Sequence, residues 1–544
     1  MAQTSAGKNL MSPQEYFSTL QKPQTPRSSF DRGCEILTTM NAGILYPIYW
    51  DEVLPADTWN VGQNLFARIN TLIKPLMDNL YLDIHWFFVP NRLTWTHWVN
   101  FMGEQVDPAA PITYTVPQMT INTGGGGNTA TGGDLATGLG IPYGVNNLTF
   151  SALPFRSYYK IYDDYYRDEN LIATQLPLSK QGDATVIYNF ADWPLLRRAK
   201  RKDYFTSALP WAQKGTAPTL TLGGTAALSP LNPLVKHAAA NSSDIGVWST
   251  VNAASKRMTA SVAEVAASTT NATAGNQLFT DLTGVTADLS TSVGFTLNAF
   301  REFATIQQYL EIDARGGTRY VEHLSAHFGV QPEDSRLQRA EYLGGSTLPL
   351  MVTPVAQTSE SDAGTPQANL AGMGTFAGKN HGFVKSFTED GIIMAIASVR
   401  QEQRYQSGLH KKWSRSTRYD YYRPVFANLG EQPILNQEIY AQGTAPDTEI
   451  FGYQEAWAEY RYSQSIVTGI LNSNATASLD VWHLAQDDTS LPVLNKVFIE
   501  ENPPIDRVVS VVSVSEPAFT LNGRFHINNA RAMPMRSTPG LTRL

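Results

Sequence analysis

Residues 80–89 (LYLDIHWFFV) carry a large apolar side chain at every second position. The members of this series are Leu80, Leu82, Ile84, Trp86 and Phe88. Because successive side chains of a strand point to opposite sides of a sheet, all of them would lie on one face. The segment therefore predicts a strand with a continuous apolar face, which Pro90 and Asn91 end.

Further strand signals are scattered over nearly the whole chain. Residues 382–400 predict two strands joined in a tight hairpin at residues 389–391, because Asp-Gly supplies the positive φ that such a turn requires. A second hairpin is predicted to turn at Asn522 and Gly523. β-branched and aromatic runs predict two more strands, at residues 479–484 and 508–514.

Two helices stand out against these strands. The first is predicted over residues 154–170, where aromatic side chains recur at helical spacing. They are Phe155, Tyr158, Tyr159, Tyr162, Tyr165 and Tyr166, and the stripe is interpreted as packing. The second is predicted over residues 297–314, with Gly316 and Gly317 ending it. Helices are thus expected as additions to an all-β protein.

Two low-complexity stretches interrupt the strand pattern. Residues 116–145 contain two glycine runs and predict a flexible surface loop. Residues 216–294 are rich in Ala, Ser, Thr, Asn and Gly and carry few charges. Since a structureless connection of this length is improbable inside a compact domain, the segment predicts an inserted subdomain. The remainder of residues 1–544 is expected to form a single domain.

The charge balance restricts the class of protein. The chain has 41 Lys+Arg against 48 Asp+Glu and a formal net charge of -7, which argues against general coating of nucleic acid. Charged residues make up only 16% of the chain, where about 25% is usual. Much of the surface must then be neutral or hidden between subunits, so an assembly is favoured over a monomer.

Targeting and redox signals are few. Cys34 is the only cysteine, which excludes an intrachain disulfide and a cysteine-based metal site. Residues 1–20 lack the apolar stretch of a secretory signal, so no Sec-type export is expected. The longest apolar run, residues 391–399, is far shorter than the roughly 20 residues that cross a bilayer. No membrane insertion is predicted.

The candidate chemical motifs fail at required positions. Residues 372–380 resemble a phosphate-binding loop, but the glycine spacing is wrong and Asn380 replaces the Mg²⁺-binding hydroxyl. His323 and His327 have the i, i+4 spacing of metal ligands, yet no third ligand follows, so structural histidines are favoured.

Two acidic pairs, Asp163-Asp164 and Asp168-Glu169, could serve a glycosidase, but nothing distinguishes an acid from a base, and a solvated helix face is favoured. No catalytic residue, metal site or cofactor is therefore predicted.

One dense basic cluster stands out, formed by Arg197, Arg198, Lys200, Arg201 and Lys202. Phosphate is its natural counter-charge, and Tyr204 and Phe205 follow as side chains that could stack on unpaired bases. The tail, residues 517–544, adds Arg531 and Arg536 among four arginines without Asp or Glu. These seven basic residues are the predicted nucleic-acid contacts. A solvated loop or salt bridges to another subunit remain the alternative.

Long phrases of the sequence resemble the major capsid protein of the Microviridae, most closely the gokushovirus branch. Two of them are LPFRSYYKIYDDYYRDENL (residues 153–171) and RRAKRKDYFTSALPWAQKG (residues 197–215). Others are residues 28–32, 51–57, 77–104, 313–330, 336–345 and 451–462. Together they cover most of the chain outside the low-complexity stretches. Residues 216–294 depart from the gokushovirus pattern in length and composition.

The resemblance implies an eight-stranded antiparallel jelly roll of the viral capsid type, with long loop insertions and a few helices. It implies a homo-oligomer of about sixty copies that closes an icosahedral shell around a circular single-stranded DNA genome. In related proteins an insertion at 216–294 clusters at the threefold axes, so this segment is expected to protrude there and contact a host surface receptor.

Other virion proteins are possible partners. The expected location is the virion, after assembly in the cytoplasm of the host bacterium. The competing interpretation is a glycoside hydrolase or carbohydrate-binding protein on the same fold.

Overall fold

The computed structural model describes most of residues 25–536. The residues within this range that it does not describe are 106, 122–133, 143–144, 146, 190, 217, 219–226, 231–243, 249–254, 262–263, 268–284, 289–296, 360–366 and 514–515. The chain divides into two compact units, Gly215–Leu310 and the remainder, which comprises Met1–Lys214 and Glu311–Leu544. The Gly124–Gly127 run and Arg543 lie outside the described residues.

Strands dominate the larger unit. Its first strands are β1 (Ser28–Asp31), β2 (Cys34–Met40), β3 (Tyr46–Val53), β4 (Thr58–Ile69), β5 (Leu80–Pro90), β6 (Gln118–Ile121), β7 (Thr149–Ser151) and β8 (Val186–Tyr188). The smaller unit contributes β9 (Ala227–Pro230), β10 (Asp244–Trp248), β11 (Ser255–Ser261), β12 (Glu264–Ala267) and β13 (Val285–Asp288). The remaining strands are β14 (Glu341–Pro349), β15 (Met351–Ala356), β16 (Leu370–Ser386), β17 (Gly391–Gln401), β18 (Glu431–Leu435), β19 (Ile450–Glu455) and β20 (Phe519–Arg531).

Two large antiparallel sheets organise these strands. The first has the order β1-β20-β4-β16-β15, and β2 also pairs with β20. The second has the order β14-β5-β17-β3. Smaller sheets are β7-β6-β8, β18-β19, β10-β11-β12 and β13-β9. The described residues thus form mostly antiparallel sheets with few helices, which confirms the predicted all-β class.

The main core contains apolar residues of both large sheets. The predicted apolar face of β5 is confirmed, because all five of its members belong to this core. The opposite face of β5 is buried too, since Phe87 and Val89 join a second core that includes the tyrosine-rich helix. β17 is buried along its whole length, whereas β20 alternates buried and exposed residues and so has one open face.

Both predicted hairpins are wrong. β16 and β17 flank the Asp390-Gly391 turn as expected, but β16 pairs with β4 and β17 pairs with β5, so the turn connects strands of different sheets. Asn522 and Gly523 lie inside β20, which pairs continuously with β4. A Cβ at Gly523 would crowd the side chains of Ile36 and Leu65, so glycine serves close packing there and not a turn.

The two other predicted strands are also wrong. Residues 508–513 form no strand, although Val508 and Val509 are buried in the main core. The segment 479–484 contains a 3₁₀ turn, Asp480–Trp482. In both places apolar residues are buried by irregular backbone, which periodicity cannot distinguish from a strand.

Helices are short with one exception. They are α1 (Trp98–Phe101), α2 (Leu135–Gly138), α3 (Leu153–Ile161), α4 (Leu297–Gly316), α5 (Tyr320–Phe328), α6 (Asn436–Ile439), α7 (Ala458–Arg461) and α8 (Lys496–Ile499). A π-helical turn, Tyr162–Tyr166, extends α3, so the first predicted helix is confirmed but ends four residues early. The second predicted helix is confirmed as α4. Among the helices of the described residues, none is long and apolar enough to cross a membrane.

Candidate nucleic-acid interface

Arg198 of the predicted basic cluster lies in a buried ion network. Its Nη1 donates to Asp83 Oδ2 and to Ser398 Oγ, each at 2.9 Å. Arg400 Nε donates to the same Asp83 oxygen at 2.7 Å. Burial alone would raise the pKa of Asp83, but Arg198, Thr347 and Arg400 together hold it below its usual value. Arg198 therefore neutralises an internal carboxylate.

Glu501 completes this network and is fully buried. Its Oε1 accepts a hydrogen bond from the Gln401 backbone N–H at 2.6 Å, whereas its Oε2 has no hydrogen-bond partner among the described residues. The nearest cation, Arg198 Nε, is 3.9 Å away. Burial raises the pKa of Glu501 to about 7, because the adjacent arginines offset only part of the loss of solvation.

Two further members of the cluster also point into the protein. Arg197 Nη1 donates to the backbone carbonyls of Glu501, at 3.1 Å, and Ala42, at 3.4 Å. Lys200 is buried, with Nζ 4.6 Å from the centre of the Phe498 ring. Burial lowers the pKa of Lys200. The groups that these side chains contact come from distant parts of the chain. The basic residues are therefore not all exposed, although they are close together in the sequence.

Arg201 and Lys202 are exposed, and Lys202 also forms an ion pair with Asp168. The proposed stacking residues are placed differently from expectation. Tyr204 and Phe205 are buried in a third apolar cluster, and the Tyr204 hydroxyl donates to Glu438 at 3.0 Å. The prediction that these two rings stack on bases is therefore wrong, because neither ring has an exposed face.

The two tail residues also differ from each other. Arg531 contacts Asp57 through Nε and Nη2, and Asp57 is itself fully buried. Arg536 is exposed. DNA contact stays a prediction for the seven basic residues, and the geometry favours Arg201, Lys202 and Arg536.

Sequence reasoning missed a larger cationic surface. Residues 409–429 contain five Lys or Arg and one acid, Asp420, interleaved with five aromatic residues. We define the basic aromatic surface as Lys411, Lys412, Trp413, Arg415, Arg418, Tyr419, Tyr421, Tyr422, Arg423 and Phe426, with Trp457 and Tyr460 from the neighbouring chain segment. Most of these side chains are exposed, Trp413 to 72%.

A partly buried arginine organises this surface. Arg415 donates to Glu459 at 3.1 Å and lies over the rings of Tyr460, at 4.3 Å, and Tyr421, at 5.5 Å. Tyr422 and Phe426 pack against Trp457, with ring centroids 5.8 and 6.2 Å away. The rings are therefore fixed by mutual contacts while parts of their faces remain open to solvent.

The outer cations of the surface contact aromatic and backbone groups. Arg418 lies 4.9 Å from the centre of the Tyr419 ring, and Arg423 donates to the Tyr422 carbonyl. No ion pair joins Lys412, Arg418 or Arg423 to a carboxylate within the part of the chain that the structure describes. Burial, and then the charges of Lys412 and Arg415, lower the pKa of His410.

The exposed cations and aromatic rings of the basic aromatic surface have the chemistry of a surface that binds single-stranded nucleic acid. Cations that are not neutralised attract phosphate, and open aromatic faces stack on bases of any sequence. The signal is present in the sequence as basic and aromatic residues interleaved over residues 411–423, but these basic residues are less dense than the five within residues 197–202.

The rejected motifs have structural roles. Residues 372–380 lie within β16 and pair with β15 and β4, so they form no phosphate-binding loop. Asp163 accepts hydrogen bonds from Thr174 Oγ1 and from the backbone N–H groups of Gln175 and Leu176. The expected solvated helix face is wrong, because Asp163 and Asp168 are buried and bind neighbouring loops.

His323 and His327 each contact one carboxylate, that of Asp313. Burial raises the pKa of Asp313, but hydrogen bonds from His327 and His323 outweigh burial and lower it. Asp313 precedes the two histidines in the sequence, so it is not among the ligands expected after them.

Comparison with known proteins gives concordant matches over nearly the whole chain. The family model described as "Capsid protein (F protein)" matches residues 18–541. A capsid protein VP1 of Bdellovibrio phage phiMH2K is 43% identical over 527 residues, 96% of each chain. The capsid proteins VP1 of Chlamydia phage 1 and Spiroplasma virus 4 are 39% and 35% identical, each over 97% of this chain and 98% of theirs.

Proposed function

The chain belongs to the capsid protein (F protein) family, and from this premise we propose that about sixty copies close an icosahedral shell around circular single-stranded DNA. The predicted resemblance to the Microviridae is thereby confirmed. The protein is a structural capsid protein and a virion component, and the glycosidase alternative is not favoured. The near full-length family match carries this conclusion.

The two large sheets support a finer proposal, that they are the halves of an eight-stranded jelly roll. The central strand orders are β2-β20-β4-β16 and β3-β17-β5-β14. Along the chain β2, β3, β4 and β5 alternate between the sheets, and β14, β16, β17 and β20 do the same. Such alternation generates two interlocked Greek keys, and the predicted jelly roll requires that connectivity.

The basic aromatic surface is proposed to contact the packaged genome, together with Arg201, Lys202 and Arg536. Packaging independent of sequence needs phosphate neutralisation and base stacking rather than readout of base edges. The open cations and rings of this surface supply both, although the chain as a whole is acidic. The shell is proposed to assemble in the cytoplasm of the host bacterium, where other virion proteins could join it.

Binding of an oligothymidylate to the unassembled chain tests the DNA contact. The double variant Arg418→Gln/Arg423→Gln should lower the slope of log affinity against log salt by about 1.4, because two phosphate contacts are lost. Trp413→Ala should weaken binding by about 1 to 3 kcal/mol through lost stacking. The control is Arg524→Gln, which removes an arginine that is 62% exposed on β20 and pairs with the exposed Glu35 at 3.5 Å.

The control variant should bind as the unmodified chain does. If the double variant and the control give equal slopes, the surface does not contact DNA, although the capsid role would stand. If the unmodified chain binds no single strand in low salt, the DNA proposal fails as a whole.

Residues 216–294 are proposed to protrude at the threefold axes and to touch a host receptor. Most of this segment lies outside the described residues, and its described parts are mainly the backbones of β9 to β13. Its small neutral side chains support contact between symmetry-related copies, because such contact brings no charge repulsion.

A further inference from the structure

The helices α4 and α5 form a tight hairpin through residues 317–319. A Cβ added at Gly316 would overlap the side chain of Ala326, so glycine permits the close approach of the two helices. Gly317 has a φ of 103°, which favours glycine and reverses the chain at the end of α4. The last turns of α4 therefore lie directly against one face of α5.

Three side chains with metal-binding atoms meet on that face. His323 and His327 are one helical turn apart on α5, and their ring centroids are separated by 4.4 Å. Asp313 Oδ1, from α4, lies 2.9 Å from His323 Nδ1 and 2.9 Å from His327 Nε2. All three candidate ligand atoms lie within 4.8 Å of one another.

We propose that Asp313, His323 and His327 form a binding site for one divalent transition-metal ion of the zinc class. Two imidazole nitrogens and one carboxylate oxygen are a usual protein ligand set for Zn²⁺, Co²⁺ or Ni²⁺, whereas Ca²⁺ and Mg²⁺ prefer oxygen ligands alone. With metal–ligand bonds of about 2.0 Å, tetrahedral ligand atoms lie about 3.3 Å apart. The two contacts of Asp313 need to open by about 0.4 Å each to admit an ion, and the two histidine nitrogens lie within 4.8 Å of each other.

Access and coordination number fit the same proposal. The side chains of Asp313, His323 and His327 are 20%, 30% and 12% exposed, so an ion can enter from solvent. Three protein ligands leave a fourth position for water. Because the ligands come from both helices, the ion would tie α4 to α5 and stabilise the hairpin.

Titration of the untagged, full-length chain with Co²⁺ tests the site, because tetrahedral Co²⁺ absorbs visible light. One Co²⁺ should bind per chain, and Zn²⁺ should displace it. His323→Gln and His327→Gln should each weaken affinity at least about tenfold, since loss of even indirect supporting contacts has that effect. His97→Gln is the matched control, because His97 also contacts a carboxylate, Asp183, but the pair has no second imidazole.

A second measurement needs no variant and so does not depend on folding of the substituted chains. Zn²⁺ should protect His323 and His327 of the unmodified chain from diethyl pyrocarbonate and leave His97 reactive. Absence of Co²⁺ binding by the unmodified chain overturns the proposal. It is overturned equally if the two glutamine variants bind as the control does, or if Zn²⁺ leaves the reactivity of both histidines unchanged.

Discussion

Replacing Arg198 by Met should destabilise the fold, whereas the same change at Arg201, three residues later, should not. The Arg198 guanidinium makes two hydrogen bonds inside the protein, to Asp83 and Ser398, and its side chain is only 10% exposed. Removing one partner of a buried ion pair costs about 3 to 5 kcal/mol. Methionine retains most of the apolar stem, so packing changes little.

The lower end of that range is expected for Arg198→Met, about 3 kcal/mol. Asp83 keeps its bonds from Arg400 and from Thr347, each at 2.7 Å, so its charge is not left unpaired. Glu501, which loses its nearest cation, can take up a proton instead. The exposed Arg201 should change the free energy of unfolding by less than about 0.5 kcal/mol.

Urea unfolding of the unassembled chain, followed by tryptophan fluorescence and circular dichroism, measures both effects. The two signals must give the same transition before free energies are compared. Equal stabilities of the two variants would refute the inference that burial divides this cluster into structural and exposed members. Loss of about 3 kcal/mol in Arg201→Met alone would reverse the assignment.

Three further predictions concern the buried acid, the inserted segment and the tyrosine-rich helix. Because burial raises the folded-state pKa of Glu501 from 4.5 to about 7, its contribution to stability is present below pH 4.5 and is lost as pH rises through 7. Glu501→Gln should gain up to about 3 kcal/mol relative to the unmodified chain over that window, and an unfolding difference independent of pH would contradict this. Deleting residues 238–291 should leave the jelly-roll fold intact and reduce attachment to host cells, so normal infectivity of the deletion variant would exclude the attachment role. Tyr158→Phe should lower the free energy of unfolding in urea by about 1 to 3 kcal/mol. It removes the hydroxyl that donates to the Leu45 carbonyl and accepts from the Leu196 N–H. An unchanged free energy of unfolding would show that these backbone groups find other partners.

The predictable parts of the fold are those whose signal is local. The apolar face of β5 was evident because its side chains alternate within one segment, and α4 because periodicity and terminal glycines agree. The predicted hairpin at Asp390-Gly391 is wrong because strand pairing is not a local property. A turn dipeptide fixes local backbone, but the partners of β16 and β17 are strands far away in the chain, and layer packing selects them.

The candidate site shows the same limit. Asp83 and Glu501 lie 115 and 303 residues from Arg198 along the chain, so the sequence could not show that this arginine is neutralised internally. The basic aromatic surface is different, because its residues are nearly contiguous and its composition was readable. The sequence does not show that the side chains of this segment are exposed, because their exposure depends on how Trp457 and Tyr460 pack against the segment.

Electron cryo-microscopy of purified, DNA-filled particles tests the central claim most directly. We expect an icosahedral shell of about sixty copies in which Trp413, Arg418 and Arg423 face the interior and contact density of the genome. A particle that places these side chains on its outer surface would contradict the DNA contact. A protein that forms no closed shell under native conditions would contradict the assembly itself.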